Sequence, residues 1–477
     1  MHLHELLLFV RAYPHNARVA RLSEALLRTF ADRVSRLRER DVDLSSLEHP
    51  EMSGIAGTSV TDTFGFYIVR WLVQRYPSQV NIYWDWFESE NRLAETWPRF
   101  MPLLEEDALV EANVPYREWL AAARGHRSEL LWLVERFDQL AMSDKQKAEL
   151  YDSQQVYVQW TPAFRSTRTG MRVPIEVFYH RGPLIQRRDI NLSAELKAAT
   201  PPMRKLSSRD GEKALDLARD ASTVRYRELY GFTHGDPRHV YEVELGRGVQ
   251  LHLMGVSAEK RLPLRAYHAA MIYKNAVPIG YFEGLSLFER MESGFNLYYT
   301  FRDGETAWLY ARILNVMHGF TGVSSFAIDP YQIGYENEEG IESGAFWFYR
   351  KLGFRPTKRA VLQLVEKEEQ KISTRSGYRT SPRTLRRLAE SPMIFELDKS
   401  RVGDWDRFQV RKIGLRTQKR KFESLLSIVS DSNRWSPGER DLLKRIVRAK
   451  EAAEETTYLK LMRRHERLRL ELIKLGS

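Results

Sequence analysis

Glu283 sits in Gly280-Tyr281-Phe282-Glu283-Gly284, a mainly apolar run in which a carboxylate is out of place. A carboxyl group in such surroundings holds its proton more tightly and is a candidate general base. Glu292 and Asp303 are the alternative carboxylates, and Tyr298 and Tyr299 are candidates to line a binding pocket beside them. A second feature is the polar turn Arg302-Asp303-Gly304-Glu305, which leads into an apolar-periodic helix from Thr306. Free N–H groups and the helix dipole make such a start an anion site. Gly304, Glu305, Thr306 and Ala307 would supply the amides and Arg302 a positive charge. Glu305 works against this, because its carboxylate repels a bound anion unless it points away. His252 and His268 read as strand histidines with satisfied rings, and the alternating His2 and His4 are too weak a pattern for a metal site. No metal is implied. The chain contains no cysteine, which excludes disulfides, thiolate zinc sites and a cysteine nucleophile.

These groups need elements to hold them. Residues 1–150 read as a mainly helical region, with Leu22, Leu26, Leu27 and Phe30, and later Leu130, Leu133, Val134 and Phe137, at helical spacing. A short strand-like run, Val80-Asn81-Ile82-Tyr83-Trp84, interrupts them. Residues 151–202 read as a β-hairpin connecting element: Val156, Val158 and Trp160 alternate with polar positions, 174–180 is β-prone, and 165–170 turns between them. After Pro201-Pro202 come a short strand at 203–206 and a Ser207-x-x-Asp210 capping signature that opens a long helix. Strands are expected at 266–273, 277–288 and 295–301, then a helix from Thr306, a strand at 323–328, and a helix that stops at Gly353. A helical insertion at 357–391 precedes a late strand at 393–397. Residues 399–477 form a basic helical C-terminal region, in which Ser436-Pro437-Gly438-Glu439 caps a helix of nearly forty residues.

The order of elements over 203–398, together with Asn275-Ala276-Val277-Pro278-Ile279-Gly280-Tyr281 and Phe348-Tyr349-Arg350-Lys351-Leu352-Gly353-Phe354, resembles the GNAT superfamily of N-acetyltransferases. The resemblance implies an α+β fold: a GNAT-like mixed central sheet flanked by helices, between the helical N-terminal and basic helical C-terminal regions. It implies acyl transfer from acyl-coenzyme A, acetyl-coenzyme A being the usual donor, to a small-molecule or peptide amine. Arg302, Gly304, Glu305, Thr306 and Ala307 fall where the family binds the pyrophosphate. Tyr349 falls where the family often keeps its general acid, a phenol whose proton affinity suits a leaving thiolate. The glycines usual in that pyrophosphate loop are missing in either register, so the loop is degenerate. Without cysteine, the amine would attack the thioester directly.

The chain has 74 Lys and Arg against 63 Asp and Glu, and 30 and 17 of these lie at 357–477. The excess of positive charge therefore falls in the last quarter, which suits a nucleic-acid partner or simply a solvated helical face. The C-terminal helix, with Leu459, Met462, Leu470 and Ile473 in one stripe, would pack on the body of the chain or form a homodimer. No segment has the ~18–20 apolar residues of a membrane span, and no secretory signal is evident, so the expectation is a cytoplasmic protein. Two rivals to the acyl-coenzyme A reading remain: an aminoacyl-tRNA-dependent transferase of similar fold, and a non-catalytic binding protein.

Overall fold

The computed structural model describes residues 2–50, 52–86, 111–414, 434–452 and 454–477, with isolated positions 92, 96, 100 and 107. It is mixed α+β, and the chain divides into two compact units. One comprises Met1–Pro174, Lys213–Thr233 and Ala276–Pro278; the other comprises Ile175–Glu212, His234–Asn275 and Ile279–Ser477.

The first unit is mostly helical. Asn16 and Ser143 cap their helices by accepting hydrogen bonds from Val19 and Gln146, and Gln146 returns the bond to Ser143. The helices Phe66–Arg75, Glu129–Gln139 and Asp144–Gln154 bury Phe66, Leu72, Leu133, Phe137 and Tyr151 in one cluster. Against it lies a small sheet of strands β1 (Val60–Asp62), β2 (Val80–Ile82) and β3 (Val158–Trp160), in the order β1-β3-β2. The hairpin expected within 151–202 does not form. Trp160 pairs with Val60 on one side and Val80 on the other, so β3 is already saturated. Residues 174–180 form no strand. Phe178 instead exchanges both its backbone groups with the Asn275 side chain, at 2.7 and 2.9 Å.

The second unit is built on a nine-stranded sheet of β4 (Met203–Lys205), β5 (Gly235–Gly246), β6 (Val249–Val256), β7 (Ala266–Lys274), β8 (Val277–Leu287), β9 (Arg290–Leu297), β10 (Ser325–Ile328), β11 (Arg355–Pro356) and β12 (Met393–Glu396). Its order is β11-β12-β10-β9-β8-β7-β6-β5-β4. Strands β4 to β9 follow one another as neighbours, β9 and β10 pair in parallel, and β12 runs antiparallel to β10 and β11. Both edges are very short strands, which limits pairing with other chains. Three features differ from expectation. Strands β5 and β6 were not delimited from the sequence, although His252 was read as a strand residue; the turn between them (Gly246, Arg247 and Gly248, all at positive φ) carries a charged residue between its glycines. A Cβ at Gly248 would collide with Asn275 Oδ1, so glycine is required there. Strand β9 begins at Arg290 rather than 295, because its outward face is polar and hides the alternation.

The third difference is the segment from Pro437, which among the described residues forms three helices, Pro437–Ala452, Glu455–Met462 and Glu466–Gly476, not one of nearly forty residues. The capping box at its start does form, with Ser436 and Glu439 exchanging bonds of 2.8 and 3.3 Å. The chain turns at His465, whose ring accepts the Leu468 N–H at 3.2 Å and caps the last helix. Leu459, Met462, Leu468 and Leu472 are buried in one cluster with Leu264, Leu287, Phe288 and Ile394 of the sheet side. The stripe considered for a homodimer is therefore largely spent within the chain. Leu470 is the exception, 55% exposed. Arg469 is fully buried: Nε donates to Glu289 at 2.8 Å and Nη2 to Asp404 at 2.8 Å, while Trp405 Nε1 reaches the same Glu289 at 2.7 Å.

A chain ending at residue 398 keeps β12 but loses this cluster. Each buried leucine is worth roughly 1.5–3 kcal/mol, against a net stability of roughly 5–15 kcal/mol for a domain. The shortened chain is expected to melt without cooperativity and to bind a hydrophobic dye; a sharp, dye-silent melt would remove the C-terminal helices from the core.

Candidate functional site

Strand alternation decides which candidates can meet. Glu283 on β8 pairs with Gly294 on β9, and Gly284 with Ser293. Directly paired residues share a face and neighbours alternate. Glu283 and Gly294 thus lie on one face, and Ser293 on the other. The Glu283 carboxyl accepts a hydrogen bond from the Tyr267 hydroxyl on β7. Burial pushes this carboxyl above the usual range, and the Tyr267 bond only partly offsets it. A Cβ at Gly294 would come within 2.8 Å of Gln332 Nε2, so the missing side chain makes room for Gln332 beside Glu283. Asn296 Nδ2 donates to Tyr281 at 3.3 Å farther along the same face.

The strand ladder ends beside Glu283 for a backbone reason. Strands β9 and β10 pair only from Arg290 opposite Ser325 to Glu292 opposite Ala327. Strand β9 then runs on through residues 293–297, while β10 ends at Ile328. Asp329-Pro330 turns the chain away, with Asp329 Oδ1 accepting the Tyr331 N–H at 2.9 Å. Proline has no N–H to continue the ladder. A parallel pair that separates beside a buried carboxyl is the principal geometric feature here.

Tyr349 lies on the opposite face. Tyr310 shares a 2.9 Å hydrogen bond with Ser293, and the Tyr349 ring stands against Tyr310 and Phe354 at 5.6 Å from each. The residue is buried, and burial raises the proton affinity of its hydroxyl. The structure therefore does not bring Tyr349 and Glu283 together on one face.

The start of the Thr306–Thr321 helix is the third component. Glu305 occupies the N-cap position, yet its side chain caps nothing. The carboxylate turns away to Arg247 Nε at 3.1 Å, Lys274 Nζ at 3.4 Å and the Ile185 N–H at 3.1 Å. Burial opposes ionisation of Glu305, but these donors outweigh it and hold the carboxyl below its ordinary value. Burial pulls Lys274 from 10.5 down to about 8, with Glu305 opposing the shift and Arg247 adding to it. His180, beside Arg247, is lowered to about 4, chiefly by burial and then by Lys274. Arg302 is engaged elsewhere, with the Leu297 carbonyl at 3.2 Å and with Glu339. The Gly304 N–H already donates to Phe301 at 3.1 Å, and the Thr306 hydroxyl to the Arg302 carbonyl at 2.8 Å. Ala307 is buried in the first turn. Of the expected anion-binding set, the first-turn backbone at Thr306 and Ala307 is what remains.

Sequence reading missed Arg247, Lys274, Tyr267 and Gln332. Arg247 and Lys274 each border a turn, between two glycines and before Asn275-Ala276, and those turns were the available signal. The alternatives to Glu283 are poorer: Glu292 lies 3.5 Å from Arg265 and 3.7 Å from Arg290, and Tyr299 is mostly exposed. His252 and His268 are buried, and burial lowers each to about 4, which keeps them neutral. No group of three or more His, Asp or Glu suited to a metal occurs among the described residues. No helix among them is long and apolar enough to cross a membrane. No family model, curated protein or solved structure matches this chain.

Glu305→Gln leaves Lys274 and Arg247 without their shared carboxylate. Breaking a buried pair typically costs about 3–5 kcal/mol, so the denaturation midpoint is expected to fall accordingly. Lys274 also predicts a pH dependence. A base lowered in the folded state destabilises it below about 8, and stability recovers as pH rises from there toward 10.5. Lys274→Met is expected to flatten that rise; an unchanged profile would show that Lys274 keeps an ordinary proton affinity.

Proposed function

We propose that the chain is an acyltransferase with a GNAT-like sheet, moving an acyl group from acyl-coenzyme A to an amine by direct attack. The observation that carries this reading is the end of the β9–β10 ladder next to the Glu283 carboxyl, whose proton affinity burial raises. A thioester carbonyl placed where the two strands part would lie within reach of an amine on the Glu283 face. The new bond forms between the amine nitrogen and the acyl carbon, and the carbon–sulfur bond breaks. The ammonium proton passes to Glu283, which Tyr267 orients, and the second proton, shed by the nitrogen as the amide forms, goes to the departing thiolate.

The turned-away Glu305 supports the donor site. Its charge is outnumbered by Arg247 and Lys274, so a pyrophosphate near Thr306 and Ala307 would meet a net positive cluster and the helix dipole. The engagement of Arg302 and the Gly304 N–H favours the rival, a non-catalytic protein of similar architecture. Folding of Lys450 and Arg469 into the interior takes charge away from the aminoacyl-tRNA reading and from a nucleic-acid partner at 357–477.

Calorimetry with acetyl-coenzyme A, followed by thiol-release assays over a panel of amines, tests the proposal. Binding is expected, and its absence would put the non-catalytic reading in front. Glu283→Gln should lower the turnover number by about 10²–10⁴-fold, with the melting temperature nearly unchanged. In the parent enzyme, kcat/KM should rise through an apparent pKa above the ordinary carboxylate range.

Tyr349→Phe separates the other assigned role. From its enclosed position behind Tyr310, the expected result is retained turnover and a stability change of ~1 kcal/mol. A fall in turnover as large as that of Glu283→Gln would restore Tyr349 as the proton donor.

A further inference from the structure

Within Met1–Pro174, one carboxylate is surrounded by more positive charge than it can balance. Glu24 receives Arg11 Nε at 2.9 Å and Arg172 Nε at 3.1 Å, with Arg28 at 3.9 Å. Arg165 stands nearby, exposed and in no ion pair among the described residues. Glu24, Arg28, Phe164, Arg165, Gly170 and Arg172 line a cleft of about 530 Å³. Three guanidinium groups thus share a single carboxylate, and a fourth, that of Arg165, lines the same cleft without a carboxylate of its own among the described residues. Burial, aided by repulsion from Arg11 and Arg28, lowers the proton affinity of Arg172.

Two further observations point to a ligand. Arg172 Nη1 donates to the Met171 carbonyl at 2.7 Å, but the enclosed Nη2 has no acceptor. A donor shut away from water without a partner is costly, and an oxyanion removes that cost by drawing the Arg172 guanidinium toward the hollow. The cleft wall is also built to stay in place. Thr167 Oγ1 donates to the Phe164 carbonyl at 2.6 Å and accepts the Gly170 N–H at 3.2 Å. A Cβ at Gly170 would collide with the Phe164 carbonyl and ring, so glycine lets the aromatic ring lie flat on the loop. The loop 165–172 therefore holds its arginines around a polar hollow of ligand size, with an aromatic ring at its side.

We infer that this cleft binds a small molecule carrying phosphate or pyrophosphate, its oxygens received by Arg28, Arg165 and Arg172. The planar guanidinium fork matches phosphate oxygens in pairs, and a multiply charged anion balances the excess that Glu24 leaves. This site belongs to a different part of the chain from the proposed acyl-transfer centre, and neither reading depends on the other.

The test is calorimetry of the full chain with inorganic pyrophosphate and with ATP, at low and high salt. Binding of at least one probe is expected, weakening as salt rises. The double variant Arg28→Gln/Arg165→Gln changes two exposed side chains and should melt as the parent does. Its affinity is expected to fall at least about tenfold. Arg172→Gln, checked for folding by circular dichroism, should show a comparable loss. Failure of both probes to bind at millimolar concentration would overturn the inference. So would binding that the double variant leaves unchanged, since the probe would then be held at another place such as the Thr306 helix start.

Discussion

A carboxylate removed from water must find compensating charge or hydrogen bonds, and Glu305 meets that constraint in the second unit. Its partners come from separate stretches of chain: Arg247 from the β5–β6 turn, Lys274 from the end of β7, and the Ile185 amide from the extended connecting segment. The same carboxylate ties these segments to the start of the Thr306–Thr321 helix. Lys274 Nζ also donates to the Arg247 carbonyl at 2.6 Å, which closes the network. Any change in this ion cluster is therefore felt by both turns and by the helix start that stands nearest the proposed donor site.

The geometry on which the chemistry would depend follows from a second constraint, the end of β10 at Asp329-Pro330. Because the ladder with β9 closes after three residue pairs, the later part of β9 has β8 alone as its strand neighbour. Gly294 falls in that stretch, and its missing side chain leaves the Glu283 face accessible to Gln332. On the reverse face, Ser293, Phe295, Tyr310, Tyr349 and Phe354 form a packed aromatic layer. One side of the sheet is thus closed by aromatic packing, and the other carries the perturbed carboxyl.

Charge composition alone would assign the basic C-terminal region to solvent or to a polyanion. Its interior members contradict that for part of the segment. Arg469 is neutralised by Glu289 and Asp404, and Lys450 is held by Glu455 and the Arg265 carbonyl at 2.9 Å. A cation can enter a core when carboxylates and carbonyls meet all sides of it, and net charge counts do not register such pairing.

Some of the architecture was legible because it is encoded locally. The Ser436-Pro437-Gly438-Glu439 cap, the helix from Thr306, the β7–β8 turn and the late strand Met393–Glu396 each depend on residues close in sequence, through side-chain caps, φ preferences and apolar alternation. The oddity of Glu283 in an apolar run was legible for the same reason. What the sequence by itself could not determine depends on distance through the fold. The face assigned to Glu283 and Tyr349, the pairing of Glu305 with Arg247 and Lys274, the three-way break of the C-terminal helix and the saturation of β3 were decided by the tertiary structure. Strand register, and the free energy of burying a charge or pairing a strand, are set by groups tens to hundreds of residues apart, for which local pattern carries no signal.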